Sequence, residues 1–292
     1  MLSPQDFIHP EDEAARRNME AIPGFAAAVK AFLKLGLEQY YHGTNMASKI
    51  RLSEKQLPEL YRKLPPICQK LNIAEPEFYL EMNPVPNAYT FGDSRIFLTI
   101  TSGLVEYLTK EEVNAVIAHE CGHIACRHVL YQTMANLLKA GADWFGMLGM
   151  LTTPIQLGLL YWSRRSELSA DRAAAAAMGS ATPVIETMVR LSGGSKTITG
   201  KVDIREYAAQ ADAYDALQES NWDKILQTAA IAYRAHPFAA VRVREILKWC
   251  DTEHYQLLME NIKLLQSGKK CCNCQSPVNP GWKFCKHCGS KI

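Results

Sequence analysis

Apolar residues recur at helical spacing along most of this chain and alternate at strand spacing in one short stretch. Residues 11–37 read as helix, with an apolar stripe over 21–37 that Lys30 and Lys34 interrupt. A second helix is expected to open at Ser53, whose side chain with Gln56 fits a capping box. It would bury Leu57, Leu60, Tyr61 and Leu64 before Pro65 and Pro66 disturb its end. Between 77 and 101 the period changes: 78–80, 87–91 and 95–101 read as strands, with the proline-punctuated loop 83–86 after the first. This is the one β region, so a small antiparallel sheet is expected. Helix then follows over about 109–132, 133–162 with interruptions, 163–178, 203–219, 222–235, 238–250 and 252–266. Thr109 with Glu112 and Asp203 with Glu206 fit capping boxes, and Gly179 and Gly268 suit helix ends. The pattern predicts a mainly helical α+β fold.

One run stands apart. Residues 144–162 carry no formal charge over 19 positions, long enough to cross a bilayer, yet they include Thr152, Thr153, Pro154, Gln156 and three glycines.

Across the 292 residues, 48% are hydrophobic and 21% charged. That balance excludes disorder, collagen and a disulfide-stapled mini-protein as descriptions of the whole chain. A net charge of +2 gives no overall field for nucleic acid, and none is expected as a partner. The charge is uneven: after Glu260 come six lysines and no acid, leaving 26 basic against 30 acidic residues before that point. Cysteine is uneven too, with five of nine between 271 and 288 and the others at 68, 121, 126 and 250. An odd count, close pairing in the tail and a polar, acidic N-terminus unlike a secretory leader favour metal ligation in a reducing compartment over disulfides. A cytoplasmic setting is therefore expected.

Chemistry concentrates at His119-Glu120-Cys121-Gly122-His123, inside the helix expected from Thr109. The spacing puts both imidazoles on one face, one turn apart, where they can share a zinc ion, with Glu120 beside that face to take a proton from the attacking water. The motif fixes only three of five positions, so a helix with two surface histidines is the bland alternative. A third ligand is on offer at Glu167, 44 residues beyond His123 on another helical stretch. A carboxylate there would complete a three-ligand site with an open position, and Asp171, one turn on, could hold the far nitrogen of a ligand histidine. Alone, Glu-x-x-x-Asp is more often a solvated helix face; its place after the zinc motif gives it weight. The histidines at 9, 42, 128 and 254 have no partner at ligand spacing and read as structural or surface residues, His128 being five positions past His123 and off the ligand face. Cys121 and Cys126 read as small buried residues.

These motifs resemble the HtpX-like zinc metallopeptidases, a family that also contains the type I CAAX prenyl endopeptidases. The resemblance rests on Asn87-Ala88-Tyr89-Thr90, on Ile96-Phe97-Leu98-Thr99 with Ser102-Gly103-Leu104, on the zinc helix, and on Ser166-Glu167-Leu168-Ser169-Ala170-Asp171-Arg172. It extends to His236-Pro237 with Arg242 and covers roughly 40–250. It implies a zincin-type domain in which His119, His123 and Glu167 bind catalytic zinc and Glu120 is general base and acid. By the same resemblance His236 would stabilise the oxyanion, Arg242 would steady the site, and residues 87–90 would form the edge strand that binds an extended peptide.

The chain departs from many members, which carry transmembrane helices before the zinc motif and a pair between it and the third ligand. Here only 144–162 is available, and His123 and Glu167 must meet at one metal, so a single crossing between them is forbidden. Two crossings do not fit, because Arg127, His128, Lys139 and Asp143 spoil the first. A helical hairpin over 133–162 is expected, either packed on the body or touching a membrane surface.

The tail is the second strong signal. Cys271-x-x-Cys274 and Cys285-x-x-Cys288 present two thiolate pairs suited to one tetrahedral structural zinc, with Cys272 a bystander and His287 a spacer. Gly281, Gly289 and residues 277–280 would supply the turns. So short a segment builds no apolar core, and metal would provide most of its folding energy. Trp282 and Phe284 either face an unknown partner or cover the metal knuckle.

The organisation expected is a helical segment 1–72 packing on a metallopeptidase domain 73–266, then a linker and zinc ribbon 267–292. The function expected is zinc-dependent endoproteolysis of extended or unfolded polypeptides, as in protein quality control. The rival is a chaperone-like or adaptor protein on the same scaffold, binding through the cleft or ribbon. Against it stands the complete set His119, Glu120, His123 and Glu167, since a pure binder needs no base beside an open metal position.

Overall fold

The computed structural model describes residues 1–139, 151–216, 238–266, 269–276, 278 and 281–292. The helix expected at 222–235, His236, the Gly268 helix end, most of 277–280 and residues 144–150 of the uncharged run lie outside them. The described residues form two compact units, Met1–Ile246 and Leu247–Ile292.

The helix expected over 11–37 is broken twice. Helices α1 (Pro10–Glu20) and α2 (Phe25–Leu33) are separated at Pro23-Gly24, and α3 (Leu37–Ser48) begins after Gly36, both glycines taking left-handed backbone. The apolar stripe survives the breaks: Phe25, Phe32 and Leu37 are buried in one cluster with Phe91, Phe97, Met134, Leu159 and Trp162. After β1 (Ile50–Arg51), the helix start expected at Ser53 does not form. Ser53 and Gln56 instead exchange backbone hydrogen bonds of 3.0 Å that close a turn. Helix α4 (Pro58–Tyr61) begins at Pro58, which has no N–H to leave unsatisfied in a first turn. Pro65 and Pro66 likewise sit in the first turn of α5 (Leu64–Leu71) rather than disturbing the end of its predecessor.

Strands β2 (Glu77–Glu81), β3 (Ala88–Gly92) and β4 (Ile96–Thr101) lie where alternation placed them, in a sheet of order β1-β2-β4-β3. The sheet is mixed. β1–β2 and β3–β4 are antiparallel, but β2 runs parallel to β4 because the 82–87 connection crosses the end of β4 to place β3 on its far side. That crossing is held by Gly103 N–H to Asn83 C=O at 2.9 Å and by the Thr101 hydroxyl to Val85 C=O at 2.9 Å. A Cβ on Gly103 would lie 2.2 Å from the Pro84 carbonyl oxygen, so the close approach requires glycine.

Next come α6 (Ser102–Tyr107), α7 (Lys110–Ala125), α8 (Val129–Lys139) and α9 (Thr153–Met178). The Thr109–Glu112 capping box opens α7 as expected, and buried Arg190 donates from Nε to the same Glu112 at 2.6 Å. Pro154 occupies the first turn of α9, where it breaks nothing, and Gly179 closes that helix in left-handed conformation. The unit continues through α10 (Thr182–Gly193), α11 (Lys196–Thr199) and α12 (Ile204–Ala216), the last capped by Asp203. Helix α13 (Ala239–Cys250) carries Arg242, and α14 (Glu253–Gln266) precedes the tail. Among the described residues no helix is long and apolar enough to cross a membrane. On α9, Ile155, Leu159 and Trp162 are buried while Leu157 and Tyr161 are exposed.

Helix α7 packs closely on α9. A Cβ built on Gly122 would lie 2.8 Å from the Ala173 methyl and 3.0 Å from the Ala170 carbonyl oxygen. Small residues on both helices thus let Glu167 reach the two histidines. Gly122→Val is expected to destabilise by about 1–3 kcal/mol through overpacking and to loosen the histidine–glutamate cluster. Gly43→Ala, where nothing lies within 4 Å, is expected to leave stability unchanged or slightly raised. Thermal melts and zinc content of the two variants check this.

Candidate metal centres

His119 and His123 stand one turn apart on α7, and Glu167 reaches them from α9. Their Nε2 atoms are 3.2 Å apart, and each is 3.4 Å from a different Glu167 oxygen. Four donors at about 2.0–2.1 Å on a tetrahedron stand about 3.3–3.4 Å from one another, so this triangle fits the ligand face of a zinc site. All three residues are buried.

A scaffold of charge surrounds them. Asp171 accepts from His119 Nδ1 at 2.9 Å, which makes Nε2 the nitrogen that faces the cluster. Arg242 clamps Asp171 through two hydrogen bonds of 2.7 and 2.6 Å and lies 3.1 Å from Glu167. Burial pushes the Asp171 carboxyl up, but Arg242 and the hydrogen bonds outweigh it and hold it below the usual carboxylate range. Burial disfavours charge on His119 also, yet Asp171 and Glu167 prevail and push its pKa up to about 10; burial lowers that of His123. The metal-free centre thus keeps its proton on His119, and a metal must displace it.

Glu120 is buried and lines cavities on both sides of the cluster. One, flanked by His119, is walled by Leu104, Val116, Val184, Met188 and Leu191; the other runs beneath β3, past Ala88, Thr90, His123 and Glu167. Asn87 and Ala88 border both, and β3 is an edge of the sheet. The Tyr89 hydroxyl is engaged by Lys49 at 2.7 Å and by Glu81 at 2.6 Å. Its side chain is therefore committed to the sheet.

His128, read from the sequence as a structural or surface residue, and Asp12, which no sequence motif singled out, join this centre. Helix α7 does not run to 132: it ends at Ala125, Arg127 turns left-handed, and His128 N–H bonds the His123 carbonyl at 2.8 Å. The turn swings His128 back until its Nδ1 lies 3.0 Å from His123 Nδ1, with its Nε2 3.0 Å from Asp12 of α1.

In the second unit the four tail cysteines converge, their sulfurs all within 4.8 Å of one another. Cys271–Cys288 and Cys274–Cys285 separations of 3.6 Å are too long for disulfides and close to the ~3.8 Å edge of a tetrahedron with zinc–sulfur bonds of about 2.3 Å. The two knuckles repeat each other: Cys271 N–H bonds Ser276 C=O and Cys285 N–H bonds Ser290 C=O, with Gln275 and Gly289 left-handed at equivalent places. The hydroxyl and backbone N–H of Ser290 pull the Cys288 thiol down to about 5, favouring the thiolate a metal needs. Trp282 packs on Cys271, Val278 and Cys285 beneath the Lys286 ammonium, while Phe284 is exposed.

A model of peptidase family M48 matches residues 54–250, taking in both helices of the first cluster and stopping before the cysteine tail. Plastoglobule-localized metallopeptidase 48 of Arabidopsis thaliana is 33% identical over 262 residues, covering 89% of this chain and 76% of its own. Protease HtpX homolog 2 of Methanosarcina mazei is 24% identical over 226 residues, 68% of this chain and 74% of its own. The protease HtpX homolog of Trichormus variabilis is 29% identical over 180 residues, half of this chain and 61% of its own.

Proposed function

The chain belongs to peptidase family M48 and is a metal-dependent peptide hydrolase, and on that footing we propose that it is a zinc endopeptidase acting on extended or unfolded polypeptides. The observation that carries this reading is the convergence of His119, His123 and Glu167 directly beneath an edge strand. A folded substrate cannot lay a strand along β3, whereas an extended segment can pair with its backbone. The apolar cavity beside His119 would take one substrate side chain. This preference for unfolded chains suits protein quality control.

His119, His123 and Glu167 would hold zinc, which would acidify the attacking water and polarise the scissile carbonyl. Glu120 then takes the proton of the attacking water and returns it to the leaving amine nitrogen. Residues 87–90 hold the peptide in register. Asp171 and Arg242 hold His119 and Glu167 in place, and His236 donates to the developing oxyanion. Residues 1–72 would serve as a helical segment on a catalytic body of 73–266, and 267–292 as a linker and ribbon holding a second zinc. Exposed Leu157 and Tyr161 support a membrane-surface contact through 133–162.

Purified chain is expected to hold two zinc ions and to cleave an unfolded model protein. Exhaustive chelation should abolish cleavage and zinc should restore it. Cys285→Ser with Cys288→Ser should leave one zinc and an intact catalytic centre. Full cleavage after chelation would overturn the reading.

A further inference from the structure

The groups behind the two ligand imidazoles differ in kind, and the second set draws in the N-terminal helix. Behind His119 stands a carboxylate, Asp171. Behind His123 stands a second imidazole, His128, and behind that the carboxylate of Asp12. All three are buried, and Asp12 lies on α1, ahead of the stretch that the family model matches. Asp12 is itself held on both oxygens. Trp162 Nε1 donates to Oδ1 at 3.0 Å, and the Ser169 hydroxyl donates to Oδ2, the oxygen that faces His128. Helix α1 is seated on α9, the helix of Glu167, by His9 N–H to the Ser169 hydroxyl at 2.9 Å and by Arg165 to Glu11 at 2.8 Å.

We infer that Asp12 and His128 are positioning residues that set which nitrogen of His123 is free to bind zinc, an inference that rests on reading His119, His123 and Glu167 as the zinc site. A carboxylate only accepts, so neutral His128 must carry its hydrogen on Nε2. Its Nδ1 is then a lone pair and must face a donor, which makes His123 carry its hydrogen on Nδ1. His123 Nε2 is left with a lone pair, and this is the atom that converges with His119 and Glu167. Asp12 thus does through one intervening ring what Asp171 does for His119 directly. The N-terminal helix is a working part of the metal centre as well as a packing element.

Asp12→Asn keeps the shape and inverts the polarity. Because Trp162 Nε1–H requires an acceptor, the amide oxygen takes the Oδ1 place and the NH2 faces His128 Nε2. His128 then carries its hydrogen on Nδ1 and presents it to His123, whose own hydrogen moves to the metal-facing nitrogen. Zinc affinity of the full-length chain, measured by competition with a chromogenic chelator, is expected to fall about 10–100-fold at the body site. The ribbon zinc serves as an internal reference. Nitrogen-15 spectra of histidine-labelled protein should show the Nε2–H tautomer of His128 in the wild type and the Nδ1–H tautomer in Asp12→Asn. His128→Gln keeps an acceptor toward His123 and a donor toward Asp12, and should retain more zinc affinity than His128→Leu. If Asp12→Asn does not fold, that pair and the wild-type tautomer decide. Wild-type zinc affinity and tautomers in Asp12→Asn, or equal affinity in the two His128 variants, would overturn the inference. A wild type that takes up only the ribbon zinc would instead overturn the zinc-site reading beneath it.

Discussion

Glu120→Gln is expected to lower the rate of peptide hydrolysis about 10²–10⁴-fold while leaving both zinc ions in place. The two halves of that expectation rest on different observations. Rate falls because Gln cannot accept the proton of the attacking water, and the other two carboxylates described at the centre are already engaged. Glu167 is turned onto His119 and His123, and Asp171 is clamped by Arg242. Metal stays because the converging donors are His119, His123 and Glu167; Glu120 is adjacent to that set and outside it. The substitution changes one atom, so the walls of both cavities persist and peptide binding should be retained. A catalytically dead variant that still binds an unfolded chain would separate proteolysis from holding, which the scaffold-protein alternative treats as the main activity. Hydrolysis at the wild-type rate by Glu120→Gln would remove Glu120 as the base, and loss of the body zinc would move it into the ligand set. Rate measured on a quenched peptide, with zinc counted in the same sample, separates these outcomes.

The parts of the site that sequence made legible are those whose geometry is local. A helix puts positions i and i+4 on one face whatever surrounds it, so His119 with His123 could be paired on paper, as could Glu167 with Asp171. Two Cys-x-x-Cys knuckles are local in the same sense. Strands 78–80, 87–91 and 95–101 were legible from alternation, but their order was not: that β2 pairs with β4 in parallel depends on a connection crossing the end of β4. Asp12 and His128 were missed for a related reason. In an unbroken helix, His128 would point away from the ligand face. The break lies in Cys126-Arg127-His128, which contains neither glycine nor proline, and Arg127 adopts left-handed backbone that no local signal announced. Only the folded chain brings position 12 to position 128.

The buried charges around His119 carry the second large expectation. Arg242→Leu should destabilise the metal-free protein by about 3–5 kcal/mol, the cost of leaving a buried charge without its partner. Asp171 and Glu167 are both almost completely buried, and the Arg242 guanidinium lies against both. Without it, two buried carboxylates lie on either side of His119 with less positive charge to offset them. Zinc contributes two positive charges at the same place, so the loss should be smaller in the loaded protein, and zinc-dependent stabilisation should be larger in the variant than in the wild type. Pairing Arg242→Leu with Asp171→Leu separates stability from ligand control. Removing both members of a buried pair is often close to neutral, so the double variant should recover most of the lost stability. His119 would still lack its hydrogen-bond acceptor, and body-site zinc affinity should remain about 10–100-fold down. Melting midpoints with and without zinc, together with chelator competition, read the two effects independently. If the single variant melts like the wild type, Arg242 is not the counter-charge of this centre. If the double variant binds zinc at wild-type affinity, Asp171 does not orient His119.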